Sequence, residues 1–278
     1  MNRIAAAFDR LRSARRTALM PYLTMGYPQL ESALELVPAL VAAGADLIEL
    51  GVPFSDPLAD GATIQAAGQR ALANGMTLER CLEQAAQLRA QGMTVPFVLM
   101  GYYNPIYQMG LEAFAQRAAA AGLDGLIVPD LPPEESEPLH AALRRQGIAL
   151  VFLLAPTADA ERIELVVGRT DGFLYLVSLA GVTGARDRLP AALEAFVDCA
   201  RAATDLPLAV GFGIGTPDQA ARVARVADGV IVGSALVQAT GTGRDPVKAA
   251  NTFVASLRAG MDLADAPITP PPLRAPSA

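Results

Sequence analysis

The residues able to do chemistry are few in kind. The chain holds one histidine, His140, one lysine, Lys248, two cysteines, Cys81 and Cys199, and no tryptophan. A lone histidine argues against zinc or iron sites built from histidine clusters. A lone lysine leaves one candidate for a Schiff-base nucleophile. The cysteines lie far apart, form no metal or redox motif, and read as buried thiols in a reducing cytoplasm. Catalysis must then rest on carboxylates, hydroxyls, backbone amides or a cofactor that the sequence does not signal. Glu49 stands in DLIELG between Ile48 and Leu50. A carboxylate in such an apolar run has to be paired, protonated or functional. The loop after it, GVPFSDPLADG, carries Asp56 and Asp60 between prolines and glycines, which suits a shaped functional loop. Asp60 also precedes a helical stretch at 62–73, so N-cap and catalyst are both open to it. Tyr175, in FLYLVS, is either a core tyrosine or a site hydroxyl. Residues 179–189 are rich in glycine and charge and read as a lid or as an ordinary surface loop. GFGIGTP and VGSAL are glycine turns, the second opening a helix at Ser234, and such turns let backbone amides approach a phosphate.

The elements that must position these residues follow from hydrophobic periodicity. Near-continuous apolar runs recur at 18–24, 46–51, 97–101, 125–128, 149–154, 173–177, 208–211 and 229–232. Runs of that kind fit strands buried on both faces. Helix-like stretches lie between them at 30–43, 77–91, 111–121, 134–146, 190–203 and 217–227, several stopping at a glycine (Gly44, Gly92, Gly122, Gly147), and a last one lies near 246–257. The count predicts a (β/α)8 barrel of the TIM type, with the doubly wound sheet as the alternative. In a barrel, Glu49, Asp60, Tyr175 and both glycine turns fall at the C-terminal ends of strands, where such barrels do chemistry, and the turns after strands seven and eight are a usual phosphate site. Ile4, Phe8 and Leu11 mark an extra amphipathic N-terminal helix rather than a transit peptide.

The chain has 278 residues, 52% of them hydrophobic and 18% charged, enough for a sizeable core. The reading is one barrel domain over 1–260 and a Pro-rich disordered tail over 261–278. A net charge of −6, with arginines scattered, argues against nucleic-acid binding. No apolar run is long enough for a transmembrane helix.

PYLTMGYP, DLIELGVPFSDPLADGATIQAA, GYYNPIYQMG, YLVSLAGVTGAR and GFGI…GSA, in that order, resemble the tryptophan synthase α chain family, over residues 1 to about 260. The resemblance implies a (β/α)8 barrel and the retro-aldol cleavage of indole-3-glycerol phosphate to indole and glyceraldehyde 3-phosphate, with no metal or cofactor. It implies Glu49 as the general acid/base, Asp60 as the group facing the indole N–H, and Tyr175 beside the substrate. It implies Tyr22 as the aromatic at the end of strand one and Thr183 as the residue that positions Asp60 on closure. Gly184, Phe212, Gly213, Gly233 and Ser234 match the phosphate site. It further implies an α2β2 complex with a pyridoxal-phosphate β chain, met through Asp56 and Asn104, with indole passing through a tunnel between the two sites. Leu179 departs from the arginine of some members. Among rival barrels, indole-glycerol-phosphate synthase relies on lysines at strand ends, whereas Lys248 lies in the last helix. Sugar-phosphate epimerases need histidine ligands. A non-catalytic sugar-phosphate-binding barrel regulating a partner predicts the phosphate turns without the Glu49/Asp60 pair.

Overall fold

The computed structural model describes residues 2–177, 189–211, 213–242 and 244–264. In chain order the described elements are α1 (Arg3–Ser13), β1 (Ala18–Thr24), α2 (Ala33–Ala42), β2 (Ile48–Gly51), α3 (Ala62–Ala73), α4 (Leu78–Ala90), β3 (Phe97–Met100), α5 (Tyr103–Met109), α6 (Leu111–Ala120) and β4 (Gly125–Ile127). A 3-10 turn (Pro133–Glu135) leads into α7 (Glu137–Arg145), β5 (Ala149–Val151), β6 (Leu153–Leu154), α8 (Ala160–Arg169) and β7 (Leu174–Val177). Then come α9 (Leu189–Ala203), β8 (Leu208–Gly211), α10 (Pro217–Ala224), β9 (Gly229–Val232), α11 (Ser234–Thr242) and α12 (Pro246–Ala264).

All neighbouring strands are parallel, in the order β5-β4-β3-β2-β1-β9-β8-β7-β6. The two ends of that ladder, β5 and β6, are separated in the chain by Phe152 alone. They are one strand, 149–154, whose first half pairs with β4 and whose second half pairs with β7. That strand closes the sheet, so the expected eight-stranded barrel is what forms. The Phe152 carbonyl accepts the Tyr175 N–H at 3.1 Å, which keeps the break in the ladder bonded.

The strands are apolar on both faces because they divide two cores. On β1, Leu19 and Leu23 join the layer between sheet and helices, whereas Ala18 and Met20 join the barrel interior. Val98, Ile127, Val151, Tyr175, Ala209 and Ile231 fill the interior from the other strands. Helix α1 plugs its N-terminal end with Ile4, Ala7, Phe8 and Leu11, all buried. Phe8 meets Phe173 at 5.9 Å between ring centroids. Each such large side chain contributes about 1.5–3 kcal/mol by leaving water. The Asn2 side chain caps this helix by accepting the Ile4 N–H.

A four-times-repeated device, which sequence reading missed, ties the same end. Asp46, Asp124, Asp171 and Asp228 each stand just before a strand and accept a backbone N–H from the preceding strand. The donors are Leu19 (3.0 Å), Phe97 (2.9 Å), Leu150 (3.4 Å) and Leu208 (2.8 Å). Each carboxylate also meets a basic side chain: Arg258, Arg89 with Arg3, His140 and Arg201 respectively. The signal was an aspartate recurring ahead of alternate strands, in ADLI, LDGL, TDGF and ADGV.

Helix α12 runs to Ala264, with Met261 fully buried, so it carries on beyond residue 260, where the tail was expected to begin. Cys81 is buried as expected, but Cys199 is exposed. On α9 the buried positions are Val197 and Ala200, which turn Cys199 outward. Among the described residues, no helix is long and apolar enough to cross a membrane.

Candidate active site

Glu49 points into the C-terminal half of the barrel from β2, with Tyr22 of β1 as its register partner. It is 3% exposed, and its Oε2 has no hydrogen-bond partner among the described residues. No ion pair reaches it among those residues. Burial raises its pKa to about 8, and the nearby Asp60 charge adds to the rise. The carboxyl is therefore held protonated at neutral pH, as a proton donor requires.

Asp60 approaches from the loop after β2. It is not the cap of α3: Gly61 holds the N-cap position and no side chain bonds there. Burial raises the Asp60 pKa, opposed by the hydroxyl of Tyr102. Two carboxyl groups thus lie within electrostatic reach of one another in unlike surroundings, Glu49 enclosed and Asp60 nearer solvent. Among the described residues, no three His, Cys, Asp or Glu side chains gather into a metal-like cluster.

Tyr22 and Tyr175 complete the interior wall. Both are 6% exposed. Burial pushes both phenols far above their ordinary range, and Glu49 adds to each rise. The Tyr22 hydroxyl lies 3.3 Å from the Thr24 hydroxyl. The structure thus brings Glu49, Asp60, Tyr22 and Tyr175 to one mouth of the barrel.

The glycine turns lie at the same mouth. Gly213 follows β8 with φ 76°, a left-handed conformation that favours glycine. Gly233 follows β9, and a β-carbon there would stand 3.5 Å from the Tyr22 ring. The first backbone bond of α11 runs from Val237 N–H to the Gly233 carbonyl. The amides of Ser234, Ala235 and Leu236 therefore lack an intrahelical acceptor and face the mouth as a helix N-terminus. Thr183, Gly184, Leu179 and Phe212 lie outside the described residues. Asp56 and Asn104 are exposed on adjacent segments, Asp56 in the loop after β2 and Asn104 on α5.

Sequence reading missed Tyr102. It follows β3, is 4% exposed, and its hydroxyl accepts the Ala59 N–H at 2.9 Å. Burial pushes its pKa up to about 12. The signal available was its place at a strand end, in GYYNP. Helix α5 was also missed, because Pro105 in so short a segment hides its periodicity.

A family model described as tryptophan synthase alpha chain matches residues 8–264. The tryptophan synthase alpha chain of Roseiflexus sp. (strain RS-1) is 58% identical over 237 residues, 85% of this chain and 91% of that one. That of Dehalococcoides mccartyi is 51% identical over 262 residues, 94% of this chain and 100% of that one. The crystal structure of tryptophan synthase subunit alpha from Legionella pneumophila str. Paris is similar at a TM-score of 0.89 and 41% identity, covering 95% of this chain and 99% of that one. Matches of that length and identity on the closed barrel just described leave one assignment: the chain belongs to the tryptophan synthase alpha chain family.

Proposed function

We propose that this chain is a carbon–carbon lyase of tryptophan biosynthesis that splits indole-3-glycerol phosphate into indole and glyceraldehyde 3-phosphate. The observation that carries its chemistry is the buried Glu49 carboxyl, whose Oε2 has no hydrogen-bond partner among the described residues and whose proton is held near neutrality, beside Asp60 and opposite an anion-binding helix terminus. The amides at Gly213, Gly233 and Ser234, with Gly184 and Phe212, hold the phosphate. That anchor sets the indole ring between Tyr22, Tyr175 and the carboxyl pair. Glu49 gives its proton to indole C3, and the ring nitrogen becomes positive. The Asp60 carboxylate faces that N–H and stabilises the charge, where low local polarity makes it count most. The Glu49 carboxylate then takes the proton of the adjacent glycerol hydroxyl. The aldehyde C=O forms, the bond to C3 breaks, and its electron pair neutralises the ring. Glu49 ends protonated, so the cycle closes with no external acid.

A β chain is the expected partner, in an α2β2 complex within the cytoplasm, with indole handed on to it. Asp56 and Asn104 sit on the face it would cover. Leu58 (92% exposed) and Tyr107 (61%) supply apolar area on the same two segments. Release of indole from indole-3-glycerol phosphate by the purified chain, with and without a β chain, tests the reading. Turnover that rises with the β chain is expected. A chain that binds glycerol phosphate yet releases no indole in either state would instead be a sugar-phosphate-binding regulator.

A further inference from the structure

We infer that Tyr102 is a positioning residue that sets the Asp60 carboxylate and transmits movement of helix α5 to it; the inference rests on the lyase reading above. Three contacts fix Tyr102. Its ring stacks on Phe54 at 5.0 Å and 24°, which joins the end of β3 to the loop after β2. Its hydroxyl accepts the Ala59 N–H at 2.9 Å, one residue before Asp60, and the same hydroxyl favours the ionised Asp60 carboxyl. The next residue, Tyr103, donates its N–H to Asp130 Oδ1 at 2.9 Å, which pins the start of α5 to the segment after β4.

The consequence is mechanical. Tyr102 holds the N-cap position of α5, the helix that exposes Asn104 and Tyr107. A body docking on α5 reaches the loop after β2 through Tyr102. Phe54 and Ala59 move with the ring and hydroxyl, and Asp60 is the next residue in the chain. Glu49 stays put, because it is part of the β2 ladder. The device therefore acts on one member of the carboxyl pair. It also acts on the charge of that member, since the Tyr102 hydroxyl favours ionised Asp60 against the effect of burial. The other titratable groups facing Asp60 are Glu49 from β2 and Tyr22 from β1. Neither favours the ionised form, so among the described residues Tyr102 is the group that does.

Tyr102→Phe keeps the stacking ring and removes the hydroxyl. In the wild-type assembly with a β chain, cleavage of indole-3-glycerol phosphate is the separate check on the lyase reading. Against that reference, the variant is expected to lose on the order of 10²-fold in kcat with little change in KM, the scale of a misplaced catalytic group. The acid limb of its pH–rate profile moves to higher pH, because Asp60 then protonates more easily. The stimulation by the β chain shrinks while the affinity for that chain is kept. In an Asp60→Asn background, Tyr102→Phe costs nothing further. Phe54→Leu, which keeps the hydroxyl and loosens the ring, moves the acid limb the same way and carries the test if Tyr102→Phe folds poorly. An active wild type whose Tyr102→Phe variant has an unmoved acid limb, or loses as much in the Asp60→Asn background, overturns the inference and leaves the lyase reading standing.

Discussion

The hydroxyl of Tyr175 occupies the space that a β-carbon on Gly211 would need. Tyr22 and Gly51 repeat the relation across the barrel. In each pair the glycine on one strand makes room for the tyrosine of its neighbour, β8 for β7 and β2 for β1. Gly211→Ala is therefore expected to drive Tyr175 out of place. Overpacking of this kind costs about 1–3 kcal/mol, and activity falls with it. In a Tyr175→Leu background the same alanine costs less. Denaturation midpoints of the four proteins measure that coupling; an equal cost in both backgrounds refutes the steric account.

Glu49→Gln is expected to slow cleavage by about 10²–10⁴-fold while glycerol phosphate still binds. It should also stabilise the fold in alkali. The folded carboxyl titrates at about 8 against an ordinary 4.5, so the native state holds a proton that the unfolded chain releases. Wild-type stability from this group is full below pH 4.5 and declines as pH rises to about 8. At about 1.4 kcal/mol per unit, the variant gains on the order of a few kcal/mol at pH 9 and none at pH 4. Melting curves at the two pH values check this, and a variant less stable than wild type at pH 9 would contradict it.

Asp60→Asn removes a charge that raises the Glu49 pKa. The alkaline limb of kcat/KM, assigned on the proposed mechanism to the proton on Glu49, is expected to move to lower pH. It does not fall to the ordinary carboxylate range, because burial is the larger cause and remains. An unmoved limb would separate the two carboxyl groups electrostatically.

Asp124→Ala unties the N-terminal end of the barrel. It leaves the Phe97 N–H without its acceptor and Arg89 without its 2.7 Å partner. Loss of so enclosed a pair is expected to cost about 2–4 kcal/mol. Glu134→Gln breaks an exposed pair with Arg162 and should cost less than about 1 kcal/mol. Urea titration ranks the two. Turnover per folded molecule stays near wild type in both, since both pairs lie away from the carboxyl pocket.

Strand positions were readable because a strand inside a barrel is apolar on both faces, and composition alone records that. The limits of β1, β8 and β9 came out as the runs at 18–24, 208–211 and 229–232. The Ile4, Phe8 and Leu11 stripe likewise marked α1 by its period. Glu49 stood out because a carboxyl between isoleucine and leucine breaks the pattern that burial demands.

Other features depend on which strand lies beside which, and one-dimensional spacing does not contain that. Whether Glu49 is paired was open until the barrel closed around it without a cation among the described residues. Asp60 was equally a cap or a catalyst until Gly61 took the cap. Tyr102 carries no signal as an isolated aromatic; its meaning comes from Phe54 and Ala59, more than 40 positions earlier, at the neighbouring strand end. The Asp46, Asp124, Asp171 and Asp228 bonds likewise run from one strand to the one before it. Periodicity reports whether a side chain is buried, and so the strands, most of the helices and the carboxyl that defies its surroundings were legible along the chain, whereas closure of the sheet through 149–154 was not. What that carboxyl meets, and at what pH it holds its proton, was decided by the tertiary structure, because pKa and hydrogen bonding depend on distances between residues remote in the chain.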